Sequence, residues 1–290
     1  MCSYPCPPAC PGFAGRAGVK SVSHSNPGSG PGHVIQLSPS QLGELRPWFL
    51  PDRPGPLVGL HVLRTGNGAC FADRWPEPGA LLAACAGNYS LLGDPEALTP
   101  PDLLERISGF VDAPEEFLPL LQRSFPDLRI WDRVILELQA EPRFRLPEGV
   151  TLQRLQSEDE SHLKRLSRDS TWISKTWGGS ASLAASGVAW GAFVGNRLAS
   201  VAVPFFVGER YEDIGVATEP ECQGRGLSTA CAGELVKDIL ARGRRASWST
   251  SPDNTASLRV AEKLAFQFVR RDRLVVIGVR VPAATDLEQM

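Results

Sequence analysis

The chain has 290 residues, 30 Lys plus Arg against 32 Asp plus Glu, a formal net charge of −2 and 42% hydrophobic residues. That balance excludes a bulk positive surface for nucleic acid or anionic lipid, and no apolar run nears the roughly 20 residues that cross a bilayer. The length allows two domains of roughly 150 residues each.

The first residues lack the basic segment and apolar core of a secretory signal, so a reducing, cytoplasmic setting is expected. The cysteines at 2, 6, 10, 70, 85, 222 and 231 make no Cys-x-x-Cys pair and match no zinc or disulfide pattern. Residues 1–32 read as a disordered, Pro/Gly-rich tail, with too few large apolar side chains to order it. Residues 33–145 read as a smaller α+β domain. "SPSQLGELRPWFL" opens it as a helix starting at Ser38 or Ser40, and "GPLVGLHVL", "GACFAD" and "ALLAACAGNYSLLGD" read as strands of a small sheet. "TPPDLLERISGFV" and "PEEFLPLLQRSF" read as helices with Pro or acid near their starts, and "RIWDRVILELQA" closes the domain as a strand.

Residues 146–290 follow a proline-marked joint. "VTLQRLQ" predicts a strand, and "SEDESHLKRLSRDS" a helix with Ser157 and Glu160 spaced as a capping box. "SGVAWGAFVGNRLASVAVPFFVG" predicts a hairpin turning at Gly195-Asn196, and "YEDIGVAT" a further strand. In "PECQGRGLSTACAGELVKDILARG", Leu227, Cys231, Leu235 and Ile239 recur every fourth residue and Gly243 stands where a left-handed cap belongs. "RASWSTS", "PDNTASLRVAEKLAF" and "QFVRRDRLVVIGVRV" complete the pattern as strand, helix and strand. The expected architecture is a mixed sheet with helices on both faces.

The strand ending at Thr218 meets the helix starting near Leu227 through Gln223-Gly224-Arg225-Gly226-Leu227-Ser228. Such a junction aims unpaired N–H groups and the positive end of the helix dipole at one point, which suits an anion. Glycines there let a phosphate approach the backbone and accept positive φ, and Arg225 adds charge at the rim. A Rossmann loop would need a third glycine where Thr229 stands, and a phosphate-binding P-loop would need Gly-Lys-Ser/Thr; a simple tight turn stays open on the loop alone.

With its surroundings, the stretch resembles the GNAT superfamily of N-acetyltransferases, whose signature is Gln/Arg-x-x-Gly-x-Gly/Ala. Gln223-x-x-Gly226-x-Ser228 fits except that Ser228 replaces the last Gly or Ala. "IGVATEPE" is similar to the family's lead-in strand, and "NTASLRVAEKLAF" to its Asn-x-x-Ala/Ser…Lys-Leu-Gly-Phe helix. The likeness spans about 130 residues, and with the preceding domain the chain looks most like the bacterial branch named for aminopolyol antibiotic (zwittermicin-type) acetyltransferases. The resemblance implies a GNAT-like, mostly antiparallel sheet. It also implies acetyl-CoA as cofactor, with its diphosphate on Gly224 to Ser228 and its pantetheine arm along Val216, Ala217 and Thr218. Asn254 and Ser257 match positions that help hold the arm, although Asn and Ser also favour helix starts as caps.

The implied reaction is direct attack by a primary amine of a small molecule on the thioester, which needs a proton acceptor. Glu212 shares a strand face with Ile214, Val216 and Thr218 by period two and is the first candidate base; Asp213 points the other way and is the second. Many relatives place a Tyr where this chain has Ala261, so the resemblance supplies no general acid. Trp172 and Trp177 lie in the segment that shapes acceptor access in this fold and either line that pocket or pack in the core. Two alternatives stand beside this reading: an acyl-CoA:amino acid N-acyltransferase, and a CoA-binding module without catalysis. The first domain either completes the acceptor pocket or joins two copies in a homodimer, and the sequence leaves both open.

Overall fold

The computed structural model describes residues 34–282; the tail read over residues 1–32, with Cys2, Cys6 and Cys10, lies outside them. In chain order the first half carries β1 (Ile35–Gln36), α1 (Pro39–Leu42), α2 (Val58–Thr65), β2 (Ala69–Ala72), β3 (Ala80–Cys85), β4 (Asn88–Gly93), α3 (Pro100–Leu104), β5 (Gly109–Asp112), α4 (Leu118–Ser124) and β6 (Arg129–Leu138). The second half carries β7 (Val150–Arg154), α5 (Glu160–Lys164), α6 (Ser180–Ser186), β8 (Trp190–Val194), β9 (Arg197–Val207), β10 (Tyr211–Thr218), α7 (Leu227–Ala241), β11 (Arg245–Thr250), α8 (Thr255–Lys263) and β12 (Phe266–Ile277). Each half therefore runs β-α-α-β-β-β-α-β-α-β, the same order twice.

The pairing makes the repeat visible. One sheet runs β1-β2-β3-β4-β5-β12-β6-β11-β10-β9-β8-β7, so the last strand of each half is exchanged into the other. β4 with β5 and β10 with β11 are parallel; the other pairs are antiparallel. β12 and β6 form the central pair, in register from Phe266↔Leu138 to Val276↔Arg129. Consequently the proline-marked joint after β6 separates two stretches of chain that share one sheet.

Helices cover both faces. Leu227, Cys231, Leu235 and Ile239 of α7 are buried with Ile214, Trp248 and Phe266 on one face, each full burial contributing about 1.5–3 kcal/mol. Ala217, one step from Val216, packs with Leu163, Leu183 and Ile173 on the other, as period two requires. Gly243 closes α7 with φ +72°, its N–H donating to Leu240 O at 2.9 Å.

Three local expectations need correction. Residues 55–63 do not form a strand: Val58 to Thr65 are α2, whose first five residues are all buried. A helix wrapped by protein on every side loses the polar stripe that betrays its period, so its apolar run imitates a buried strand. The capping box of α5 sits one residue earlier than Ser157, with Gln156 N–H donating to Asp159 Oδ2 at 2.9 Å, because a 3-10 turn over Ser157–Asp159 precedes the α-helix. The helix read over "TPPDLLERISGFV" stops at Leu104, and its last residues become β5.

Candidate active site

β10 and β11 pair from Tyr211↔Arg245 to Ile214↔Trp248 and then part. β10 runs on to Thr218 bonded only to β9, and β11 runs on to Thr250 bonded only to β6. The parting leaves β10 with a free main-chain edge over Gly215 to Thr218. A register shift in β9 helps to open the wedge: Asp213 pairs with Phe206 and Ile214 with Pro204, so Phe205 is skipped. Pro204 has no N–H for a ladder, and its carbonyl instead accepts from Trp177 Nε1 at 2.8 Å.

A cavity of about 580 Å³ fills this wedge and passes through the sheet. At one end lies the mouth of α7, where Gln223, Gly224, Gly226 and Ser228 meet Asn254, Ser257, Arg259 and Lys263. Gly224 and Gly226 have φ of +71° and +80°, a region side chains rarely adopt. A Cβ at Gly224 would meet nothing within 4 Å, and one at Gly226 only Pro147 at 3.7 Å, so the space above the loop is open. Among the described residues, the N–H groups from Gly224 to Thr229 have no acceptor in the chain; the first helical bond is Ala230 N–H to Gly226 O at 3.0 Å. Arg225, Arg259 and Lys263 are exposed and have no carboxylate partner among the described residues. This cradle of donors and cations fits a diphosphate.

Asn254 caps α8, its Oδ1 accepting from Ser257 N–H at 3.0 Å, while Ser257 Oγ accepts from Trp248 Nε1 at 2.9 Å. Both line the cavity, so cap and cavity wall coincide. Val216 and Thr218 also line it; Thr218 Oγ1 is 2.7 Å from Ser200 Oγ. Ala217 and Leu227 point into the cores, and Arg225 stands at the rim outside the lining.

The other end is aromatic and carries charges of both signs, lined by Tyr89, Phe110, Asp112, Trp131, Arg133, Trp172, Lys175, Phe205, Phe206 and Asp213. Asp213 Oδ1 accepts from Ser247 Oγ at 2.8 Å and from Ser249 Oγ at 2.9 Å. Burial raises its pKa to about 6, against the lowering pull of those hydroxyls, Arg133 and Arg270. Arg133 donates to Ser249 O at 2.8 Å and lies 4.1 Å over the Trp131 ring; burial lowers its pKa to about 10, against Asp213 and Asp272. Trp172 Nε1 is buried without an acceptor.

Glu212, the first candidate base, is corrected. It does lie on the face of Ile214 and Val216, but at the wrong end. α7 runs antiparallel to β10, so its C-terminal turn covers Glu212, while the glycine mouth lies near Thr218, about 20 Å further along the strand. There Glu212 is 1% exposed and ion-paired with Arg242 at 2.7 Å and Arg244 at 2.6 Å, and it does not line the cavity. Asp213, on the opposite face, does. Trp177 is likewise core, edge-on to His61 at 5.4 Å, whereas Trp172 lines the cavity. Ala261 is fully buried, so the position that the resemblance gives to a tyrosine faces protein.

The model of the family described as GNAT acetyltransferase matches residues 57–273. The chain belongs to the GNAT acetyltransferase family. Membership makes this GNAT chain an acyltransferase by family, and the matched stretch includes β2 to β5 as well as the glycine loop. An uncharacterized N-acetyltransferase from the mutA 5′ region of Streptomyces virginiae is 41% identical over 213 residues, covering 72% of this GNAT chain and 90% of that protein. Among solved structures, a GCN5-related N-acetyltransferase-like protein from Streptococcus suis has a TM-score of 0.61 at 19% identity, covering 82% and 98% of the two chains. A tandem GNAT protein from the clavulanic acid biosynthesis pathway has a TM-score of 0.54 at 12% identity, covering 86% and 99%. These two likenesses are of fold, and the second agrees with the doubled element order seen here. Among the described residues of this GNAT chain no helix is long and apolar enough to cross a membrane.

Proposed function

We propose that this protein transfers an acetyl group from acetyl-CoA to a primary amine of a small molecule. One observation carries the reading: a single cavity joins the unpaired N–H groups at the mouth of α7 to a buried carboxylate at the parting of β10 and β11. When bound, acetyl-CoA supplies a thioester carbonyl open to attack by a neutral amine.

The chain's own groups divide the work. The N–H groups from Gly224 to Thr229 hold the diphosphate, with Arg225, Arg259 and Lys263 adding charge. The free edge of β10 from Gly215 to Thr218 pairs with the pantetheine amides as an added strand would. Asp213 accepts the amine proton at Oδ2, because Ser247 and Ser249 both hold Oδ1. A pKa near 6 leaves Asp213 ionised at neutral pH while keeping it basic enough to serve. Both lobes contribute, residues 146–282 holding the CoA loop and residues 34–145 supplying Tyr89, Phe110, Asp112, Trp131 and Arg133 to the acceptor end.

Free-thiol release from acetyl-CoA, measured against a panel of small amines, tests the reading. Release above the hydrolysis background with at least one primary amine is expected; none with any amine, together with no thermal response to CoA, would refute it.

A further inference from the structure

One wall of the acceptor end is a 3-10 turn, Thr171–Trp177, whose Trp172 and Lys175 line the cavity, Trp172 edge-on to Phe205 at 5.4 Å. Such turns have poor internal hydrogen-bond geometry, so their position depends on what holds their ends. The far end is fixed to the core, with His61 Nε2 donating to Thr176 O at 2.9 Å and Trp177 Nε1 to Pro204 O at 2.8 Å. The near end is held by the carboxylate of Glu219. Its oxygens accept from Ser167 N–H at 3.1 and 3.2 Å, from Ser167 Oγ at 2.9 Å and from Arg197 Nη2 at 3.3 Å. Ser167 O accepts from Ser170 N–H at 2.9 Å and Ser170 O from Ile173 N–H at 3.3 Å, so the hold passes along the main chain to Trp172.

Glu219 directly follows β10 and is 2% exposed, so the residue that grips the wall also begins the turn leading to Gly224 and Gly226. Its main chain is held independently of the carboxylate: Glu219 N–H donates to Ala199 O at 2.9 Å, and Glu219 O accepts from Cys222 N–H at 2.8 Å. The side chain is therefore spare for the wall. We infer that Glu219 is a positioning residue that ties the wall carrying Trp172 and Lys175 to the turn before the glycine loop, and so sets the acceptor end without lining the cavity. The inference rests on the acetyl-transfer reading for the identity of that end as the acceptor site, but the tie is tested without turnover.

Hydrogen exchange of the full chain, read by mass spectrometry, tests it. In Glu219→Gln an amide nitrogen replaces one acceptor oxygen, and the side chain can no longer satisfy both Ser167 and Arg197. Peptides over residues 167–177 are expected to exchange about tenfold faster than in wild type, while those over residues 223–241 stay within about twofold. Ser167→Ala, which leaves Glu219 paired with Arg197, should show the same pattern at smaller amplitude, and it carries the test if Glu219→Gln does not melt cooperatively. In thiol-release assays Glu219→Gln is expected to raise the acceptor KM about tenfold and leave the acetyl-CoA KM within about twofold; a residue that only stabilised the fold would move neither. Unchanged exchange over residues 167–177, exchange raised equally along the chain, or donor and acceptor KM rising together would overturn the inference. Faster exchange confined to residues 167–177, with no thermal response to CoA and no thiol release in wild type, would overturn the acetyl-transfer reading and leave Glu219 as the tie.

Discussion

Replacing Asp213 by Asn should make the protein slower and more stable at once. The carboxyl is 5% exposed, and its pKa stands at about 6 against an ordinary 3.8, so the ionised form is destabilised in the folded state. At about 1.36 kcal/mol per pH unit, that displacement corresponds to about 3 kcal/mol above pH 6. Below about pH 4 both folded and unfolded chains carry the proton and the term vanishes. Between these limits the folded chain holds a proton that the unfolded chain has released, so this group's contribution falls as pH rises. Asn keeps an oxygen to accept from Ser247 and Ser249 but never ionises. The variant should therefore melt within a degree or two of wild type at pH 4, and its advantage should grow through pH 6 to a plateau of several degrees. Thiol release should fall by about 10²–10⁴-fold, and in wild type kcat/KM should rise with pH through about 6. Thermal melts and initial rates over pH 4–8 check both. A melting advantage independent of pH, or one that shrinks as pH rises, would refute the burial argument; full activity in the variant would refute the role as base.

The other predictions concern neighbouring parts of the same frame. Gly226→Val should weaken CoA binding at least tenfold by calorimetry, since it fills the open space over the loop and forces a branched side chain to φ +80°, a strain of about 1–3 kcal/mol. Glu212→Gln should lower stability by about 3 kcal/mol, the low end for breaking a buried pair because Arg242 and Arg244 keep 29% and 20% exposure. Its pH–rate profile should keep the wild-type acid limb, which a catalytic Glu212 would not allow. Gly233→Ala should cost about 1–3 kcal/mol in urea melts, because the new Cβ would collide with the Phe144 ring, and Phe144→Leu in the same chain should recover part of it.

What the sequence disclosed and what it hid divide along sequence distance. Gly195, Gly243 and the Gly224/Gly226 pair act through their own φ angles, so local chemistry was enough to place the hairpin, the helix end and the glycine turn before α7. Glu212 was misread because its partner Arg242 is 30 residues away, and no periodicity says which end of a helix will cover a given strand residue. α2 was hidden by burial on every side, with His61 Nε2 donating to Thr176 O at 2.9 Å and His61 Nδ1 accepting from Val207 N–H at 3.2 Å, both long-range contacts. Asp112, Trp131 and Arg133 sit in no motif. One signal was available for the last two: β6 carries three charges in its first half, at Arg129, Asp132 and Arg133, and only Glu137 in an otherwise apolar second half, unlike a strand with one uniformly buried face.

The exchange of last strands explains why the cavity at the glycine loop of the second half is also lined by residues of the first. If β12 paired with β11 within its own half, the strand beside Ser249 would carry Arg270 to Arg273 and not Trp131 and Arg133. With β6 inserted there, Ser249 pairs with Ile135, and Arg133 reaches the Ser249 carbonyl at 2.8 Å, next to the carboxylate proposed as the base. β12 in turn pairs with β5 from Val275↔Val111 to Ile277↔Gly109, which holds Phe110 and Asp112 in the sheet beside the central strands. In the first half the loop after β4 reads Asp94-Pro95-Glu96-Ala97-Leu98-Thr99, repeating the acid-proline-acid turn of Glu219-Pro220-Glu221 in the second half but without the glycines that follow it there. That loop offers no cradle for an anion. The first half thus repeats the sheet without the glycine loop, and under the proposed function its residues at the cavity face the molecule that receives the acyl group.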